Sequence, residues 1–199
     1  MTDSFYEHLF SVRGKVALVT GGTRGIGLMI AEGLVRAGAR VYVSSRKSDA
    51  CAEAERTLSQ HGDAIAIPSD LGSMAGIEQL ASEIAAREPR LHLLVNNAGL
   101  TWNQPLEQFP EKGWDRVLDL DAKAPFFLSQ KLLPLLRAAA SPSERSVIVN
   151  VSSVNGIKPS GLQNYSYVVA KAGLRQLSAQ MARDLMDDQI NVNVIAPGP

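Results

Sequence analysis

The chain has 199 residues, of which 45% are hydrophobic, and this length predicts a single domain, residues 1–199, around one substantial core. Lys plus Arg and Asp plus Glu are both 20, and this balance argues against binding to nucleic acid or to an anionic membrane surface. The single cysteine, Cys51, excludes a disulfide within the chain, and the three histidines show no metal-ligand spacing, so we expect no metal.

The first 13 residues do not have the pattern of a secretory signal, which is a basic region followed by an apolar one. No apolar run approaches the roughly 20 residues that cross a bilayer. The sequence therefore predicts a cytoplasmic protein without a membrane anchor.

The first predicted unit is a strand, a glycine turn and a helix, over residues 15–37. Gly21, Gly25 and Gly27 form the turn, and apolar residues then recur at helical spacing. Such a turn lets the backbone approach a phosphate, and the free N–H groups of the first helical turn attract an anion. An ordinary strand-to-helix connection is the alternative, but the flanking strand and helix are the context that a dinucleotide site requires.

The second predicted strand, residues 40–44, ends where a dinucleotide fold contacts the adenosine ribose. An acidic residue there binds the free hydroxyl of NAD, whereas an arginine accommodates the extra phosphate of NADP. This chain has Ser45 and Arg46 at that point, its first acid is Asp49, and Arg24 adds a cation in the turn. The pattern favours NADP, with two solvated surface arginines as the alternative.

The alternation of strands and helices continues to the end of the chain. We predict strands at 64–67, 91–95, 146–151 and 190–196, and helices at 49–60, from a cap at Ser73 through 87, at 110–139 and at 163–186. Pro125 and Pro134 should bend or interrupt the longest helix. This order indicates a doubly wound parallel α/β sheet, a Rossmann fold, with its ligand at the carboxyl ends of the strands.

Tyr167 and Lys171 stand four residues apart on a predicted helix and so share one face. A phenol is a weak acid-base group at neutral pH, and an adjacent ammonium favours the phenolate. Tyr167 could then protonate a carbonyl while a serine at the end of the fifth strand hydrogen-bonds the same oxygen. Taken alone, a Tyr-x3-Lys pair is more often a helix surface pair.

Four motifs in this order resemble the short-chain dehydrogenase/reductase family over residues 14–199: Thr20-Gly21-Gly22-Thr23-Arg24-Gly25-Ile26-Gly27, Asn96-Asn97-Ala98-Gly99, Ser152-Ser153 and Tyr167-x3-Lys171. The resemblance implies hydride transfer between NADP and a ketone or secondary alcohol. It implies Ser153, with Ser152 as the alternative, Tyr167 and Lys171 as catalytic residues. The implied cofactor contacts are Gly21, Thr23, Arg24, Gly25, Ile26, Gly27, Ser45, Arg46, Asp70, Leu71, Asn97, Ala98, Gly99, Tyr167, Lys171, Pro197 and Gly198. For Asp70, a simple turn role is an equal alternative.

Within the family the chain is most similar to 3-oxoacyl (acyl-carrier-protein) reductases, including the 3-oxoacyl reductase of rhamnolipid biosynthesis, through the segments 132–137 and 163–167. This similarity implies a ketone or acyl thioester substrate. It also implies a homodimer or homotetramer with helices 114–136 and 167–186 at one interface. A non-catalytic dinucleotide sensor or scaffold is the alternative.

Two departures from the family pattern motivate that alternative. The family usually has Asn in the long helix where this chain has Asp121, which could hold a catalytic water, point to solvent, or pair with Lys123 or Arg116. Family members also continue beyond residue 199 with a substrate loop and one more strand, and we expect the fold to lack both.

Overall fold

The computed structural model describes residues 10–159 and 161–198. Its strands are β1 (Val16–Thr20), β2 (Arg40–Ser45), β3 (Ala64–Pro68), β4 (Leu93–Asn96), β5 (Ser146–Val151) and β6 (Ile190–Ile195). Its α-helices are α1 (Gly25–Arg36), α2 (Ser48–Leu58), α3 (Met74–Arg87), α4 (Glu111–Leu118), α5 (Ala124–Ala139) and α6 (Tyr165–Asp184). Short 3-10 turns lie at Leu106–Gln108 and Val154–Gly156.

The six strands form one parallel sheet in the order β3-β2-β1-β4-β5-β6. The chain winds outward from β1 to β3, then returns to the other side of β1 with β4. The carboxyl ends of β1 and β4 therefore flank the point where the winding direction reverses, which is where such sheets bind ligands. This topology confirms the predicted doubly wound fold.

Every residue of β1 is buried, because helices cover both faces of the sheet. Leu18 faces a core cluster that includes residues of α3 and α5, such as Leu80 and Leu128. Ala17 and Val19 face the opposite cluster with residues of α1 and α2. The near-continuous apolar strands thus form the middle layer of a three-layer domain.

The long predicted helix is divided by a π-helical segment at Asp119–Lys123, between α4 and α5. In this segment the N–H of Ala124 donates to the carbonyl of Asp119, five residues earlier. Pro125, the second residue of α5, has no N–H to donate to a carbonyl of the preceding turn. The predicted interruption thus lies just before Pro125, whereas α5 continues through Pro134.

The remaining boundaries agree with the expected local signals. The Ser73 hydroxyl accepts a hydrogen bond from the N–H of Gly76 at 3.2 Å and caps α3. Gly38, just after α1, has a positive φ of 88°. Among the residues that the structure describes, no helix is long and apolar enough to cross a membrane.

Candidate active site

Thr20, at the end of β1, joins the glycine turn to the 96–99 loop. Its hydroxyl oxygen accepts hydrogen bonds from the N–H groups of Asn97 and Ala98, both at 3.0 Å, and lies 3.3 Å from the carbonyl of Val95. The Asn97 amide donates in return to the Thr20 carbonyl at 2.9 Å. Two of the predicted motifs are therefore held as one unit at the switch point of the sheet.

The glycines of the turn are required by this close approach. Gly21 and Gly25 have φ values of 63° and 54°, which favour glycine. A Cβ on Gly21 would lie 2.9 Å from the Cα of Ala98, and one on Gly27 would collide with the carbonyl of Gly21. No side chain caps the start of α1 at Arg24, so the N–H groups of its first turn remain open to an anion.

A cavity of about 390 Å³ lies at the carboxyl ends of β4 and β5; we call it the catalytic cavity. Nine of the predicted site residues line it: Ile26, Asn97, Gly99, Asp121, Ser153, Tyr167, Lys171, Pro197 and Gly198. Ser152, the alternative serine, lines it as well. Residues from the glycine turn and from the proposed catalytic set thus share one space.

Lys171 is only 4% exposed, and its ammonium has defined contacts. Nζ donates to the carbonyl of Val151 at 3.0 Å and lies 3.1 Å from Oδ2 of Asp121. The same atom is 5.5 Å from the centre of the Tyr167 ring. Because Tyr167 and Lys171 are one helical turn apart on α6, the charge is placed beside the phenol as their spacing predicts.

The two serines after β5 make different hydrogen bonds. Ser152 donates its hydroxyl hydrogen to the backbone carbonyl of Lys171 at 2.8 Å, inside the core. The Ser153 oxygen accepts from the N–H of Asn155 at 3.2 Å, which leaves its hydroxyl hydrogen available to a ligand. This difference favours Ser153 as the serine that contacts a substrate.

Asp121 is fully buried and lines the catalytic cavity, so the alternatives of a solvent-facing side chain or a pair with Lys123 or Arg116 do not hold. The π segment turns Asp121 inward, while Lys123 pairs with Asp119 at 3.0 Å on the outside. Burial raises the pKa of the Asp121 carboxyl, and the Lys171 ammonium together with the Leu100 N–H opposes this rise.

A second cavity, of about 540 Å³, is lined by Arg46 and Asp70; we call it the Arg46 cavity. Leu100 lines both cavities, so the two cavities are adjacent. Within residues 10–159 and 161–198, neither Arg24 nor Arg46 forms an ion pair, and both are exposed.

After β3, only one of the two predicted cofactor contacts, Asp70, lines a cavity. The Asp70 carboxylate accepts from the N–H of Gly72 at 3.1 Å, as a turn residue does, while also lining the Arg46 cavity. Leu71, in contrast, is 4% exposed and packs into the core. Its side chain therefore serves the fold, and it does not line either cavity.

Sequence analysis missed several residues of the site. Thr20 stands directly before the glycine turn, and this position was its only signal. Asn155 and Asn164 also line the catalytic cavity. They follow no helical or strand period, so no pattern indicated them. In the described part of the chain, no group of three or more His, Cys, Asp or Glu side chains could hold a metal ion.

Comparison with known proteins identifies the family. The model of the short chain dehydrogenase family matches residues 15–199. A rhamnolipid-biosynthesis 3-oxoacyl-[acyl-carrier-protein] reductase of Pseudomonas aeruginosa is 49% identical over 189 residues, which are 95% of this chain and 74% of that protein. The 3-oxoacyl-[acyl-carrier-protein] reductase FabG of Staphylococcus aureus is 36% identical over 187 residues, 92% of this chain and 74% of that protein.

The fold comparison agrees. The Pseudomonas aeruginosa RhlG/NADP active-site complex superposes with a TM-score of 0.92 at 49% identity, covering 94% of this chain and 73% of that one. The chain belongs to the short-chain dehydrogenase/reductase family.

Proposed function

We propose that this protein is an NADP-dependent oxidoreductase that interconverts a ketone and a secondary alcohol, with Tyr167 as the proton donor. The observation that carries the proposal is that Tyr167, Lys171 and Ser153 line one cavity with Ile26, at the end of the glycine turn, and with Asn97 and Gly99 of the 96–99 loop. A carbonyl bound in this cavity would be flanked by the residues that carry the two hydroxyl groups.

Each side chain has a defined task in the reduction. When bound, NADPH would supply the hydride that the carbonyl carbon receives and would be left as NADP+. Tyr167 donates a proton to the carbonyl oxygen, and the free hydroxyl hydrogen of Ser153 stabilises the negative charge that develops there. The buried Lys171 ammonium favours the phenolate that remains after proton transfer.

The residues present fit the cofactor. Gly25 has a positive φ and a Cβ there would meet nothing within 4 Å, so the uncapped backbone at the start of α1 is open to a pyrophosphate. Arg24 and Arg46, which form no ion pair within the described residues, fit the additional phosphate of NADP. The similar reductase solved with NADP supports the same cofactor. A charge-assisted phosphate contact contributes roughly 1.5–3 kcal/mol, so NADPH should bind about ten- to a hundredfold more tightly than NADH.

For the substrate we propose a 3-oxoacyl thioester, since both reductases compared above act on 3-oxoacyl groups according to their names. An apolar cavity of about 680 Å³ adjoins the catalytic cavity and shares Leu162 and two asparagines with it. The exposed side chains of Leu106 and Ile157 line this apolar cavity. An acyl chain extending from the reacting carbonyl would bury such surfaces.

The test is the rate of NADPH oxidation with 3-oxoacyl thioesters of increasing chain length and with small cyclic ketones. We expect rates that rise with chain length, and a loss of roughly 10²–10⁴-fold in Tyr167→Phe, the size of a general acid contribution. Equal rates on cyclic ketones would remove the acyl substrate. A wild type no faster than Tyr167→Phe on every compound would instead favour the non-catalytic sensor.

A further inference from the structure

The carboxyl group of Asp121 is held by a backbone hydrogen bond on one oxygen. Its Oδ1 accepts from the N–H of Leu100 at 2.9 Å, and the side chain is 0% exposed. The carboxyl group is therefore fixed in orientation.

That second oxygen faces Lys171. Oδ2 lies 3.1 Å from Nζ in an ion pair, although it has no partner with hydrogen-bond geometry among the described residues. The ammonium is held on its other side by the carbonyl of Val151 at 3.0 Å. Lys171 thus sits between one carbonyl and one carboxylate, with the Tyr167 ring 5.5 Å away.

Two local features of the chain bring this pair together. In the π segment Asp121 is buried, while Asp119 is half-buried and pairs with Lys123 at the surface. Gly99 has no side chain at the contact: a Cβ there would lie 2.8 Å from Oδ2 of Asp121 and 3.3 Å from Nζ of Lys171. Both the π segment and the loop at Gly99 therefore allow the close contact between Asp121 and Lys171.

The charges facing Asp121 are few. Among the described residues, Lys171 faces it from α6, with Tyr167 beyond the ammonium, whereas the Leu100 loop and the end of β5 contribute backbone groups. On its own segment, Asp119 and Lys123 pair with each other at 3.0 Å. A carboxylate in this place therefore acts on the ammonium and, through it, on the phenol.

We propose that Asp121 is a positioning residue whose carboxylate holds the Lys171 ammonium and sets the pH at which Tyr167 gives up its proton. The inference rests on the proposed function of Tyr167. A buried anion opposes formation of a second anion nearby, so Asp121 delays the phenolate to higher pH.

Replacement by asparagine preserves the shape and removes the charge. The amide oxygen of Asp121→Asn can still accept from Leu100, but its NH2 group then faces the Lys171 ammonium, and two donors oppose each other. The Tyr167 and Lys171 pair consequently loses a proton more readily than in the wild type.

The test is the pH–rate profile of secondary-alcohol oxidation with NADP, which needs Tyr167 as the base. We expect the midpoint of the rising limb in Asp121→Asn to lie about one pH unit below that of the wild type, which is the size of shift that removal of one nearby charge produces. The matched control is Asp119→Asn, which removes a partly exposed carboxylate two residues away and should leave the midpoint unchanged. A midpoint does not depend on how much of the enzyme is folded.

Superimposable profiles of wild type and Asp121→Asn, with Tyr167→Phe inactive, would overturn the inference and leave the proposed function standing. Full activity of Tyr167→Phe would instead overturn the proposed function. If Asp121→Asn is too slow to assay, its tyrosinate absorbance is measured as a function of pH. The part of this signal that is missing in the double variant Asp121→Asn, Tyr167→Phe belongs to Tyr167 and gives the same midpoint. An unshifted midpoint in that titration also overturns the inference.

Discussion

At the scale of single residues, the two serines after β5 have different roles: Ser153 serves the proposed chemistry, and Ser152 serves the stability of the fold. Ser153 has a free hydroxyl hydrogen facing the catalytic cavity, whereas Ser152 uses its hydrogen on the Lys171 carbonyl. We expect Ser153→Ala to lower kcat about 10²–10³-fold, the usual loss for one donor to a developing oxyanion. Its melting temperature should change little. Steady-state kinetics and thermal unfolding measure the two effects.

Ser152→Ala is the matched comparison for that experiment. It removes a buried hydrogen bond between β5 and α6, so the free energy of unfolding should fall by about 0.5–1.5 kcal/mol. The kcat should be affected less than in Ser153→Ala. The reverse order of the two kcat values would transfer the catalytic role to Ser152.

At the scale of elements, His92 joins β1 to β4 just before β4 begins. Its Nδ1 accepts from the N–H of Val16 at 3.0 Å, which requires a neutral ring. Burial, followed by the charges of Lys15 and Arg90, lowers the pKa of His92 below its ordinary value of 6.5. The unfolded chain therefore binds this proton more readily, and the stability contributed by His92 is present above pH 6.5 and is lost as the pH falls.

We expect the free energy of unfolding of the wild type to decrease as the pH falls below about 6.5. His92→Asn keeps an acceptor near the position of Nδ1 but does not titrate, so its decrease should be smaller. His61→Asn is the control, because His61 is an exposed partner of Arg36. Urea unfolding at several pH values measures all three. Parallel curves for wild type and His92→Asn would contradict this role.

The elements show how far sequence reasoning extends. Strand bounds followed from apolar runs, since strands buried on both faces read as continuous apolar segments. The start of α3 followed from Ser73, whose cap is a local hydrogen bond. The π segment was not predicted, because residues 119–123 carry no composition that separates a π turn from an α turn. Its cause is the backbone around Pro125.

Long-range contacts explain what was missed in the site. The motifs at Gly21, Asn97, Tyr167 and Lys171 were visible because each is a local pattern. The burial of Asp121 was not, since it depends on Leu100 and Lys171, which are distant in the sequence. Buried amides are a further case: Asn96 donates to Asn150 at 2.8 Å across β4 and β5, and no periodicity in either strand indicates that pairing.

At the scale of the whole molecule, two helices present apolar side chains to solvent. Trp114 on α4 is 36% exposed and Val169 on α6 is 47% exposed, and both elements belong to the predicted subunit interface. Both side chains also line the rim of the apolar cavity proposed for the acyl chain, so we propose that two copies associate through the face that borders this cavity, since burial of such surfaces favours association. Sedimentation should give at least twice the mass of one chain.

A charged residue at the interface provides the control for that measurement. Val169→Asp should shift the mass toward the single chain, whereas Met29→Asp, at an exposed position on α1, should not. A wild type that sediments as a single chain at every concentration would contradict the proposed association.

The central claim is hydride transfer between NADP and a ketone in the catalytic cavity. Its most direct measurement uses NADPH deuterated at the transferred position, a 3-oxoacyl thioester, and mass spectrometry of the product. We predict a 3-hydroxyacyl product with one deuterium on the carbinol carbon, formed by the wild type and nearly abolished in Tyr167→Phe. NADPH binding without any labelled alcohol, or equal labelling by Tyr167→Phe, would contradict the claim.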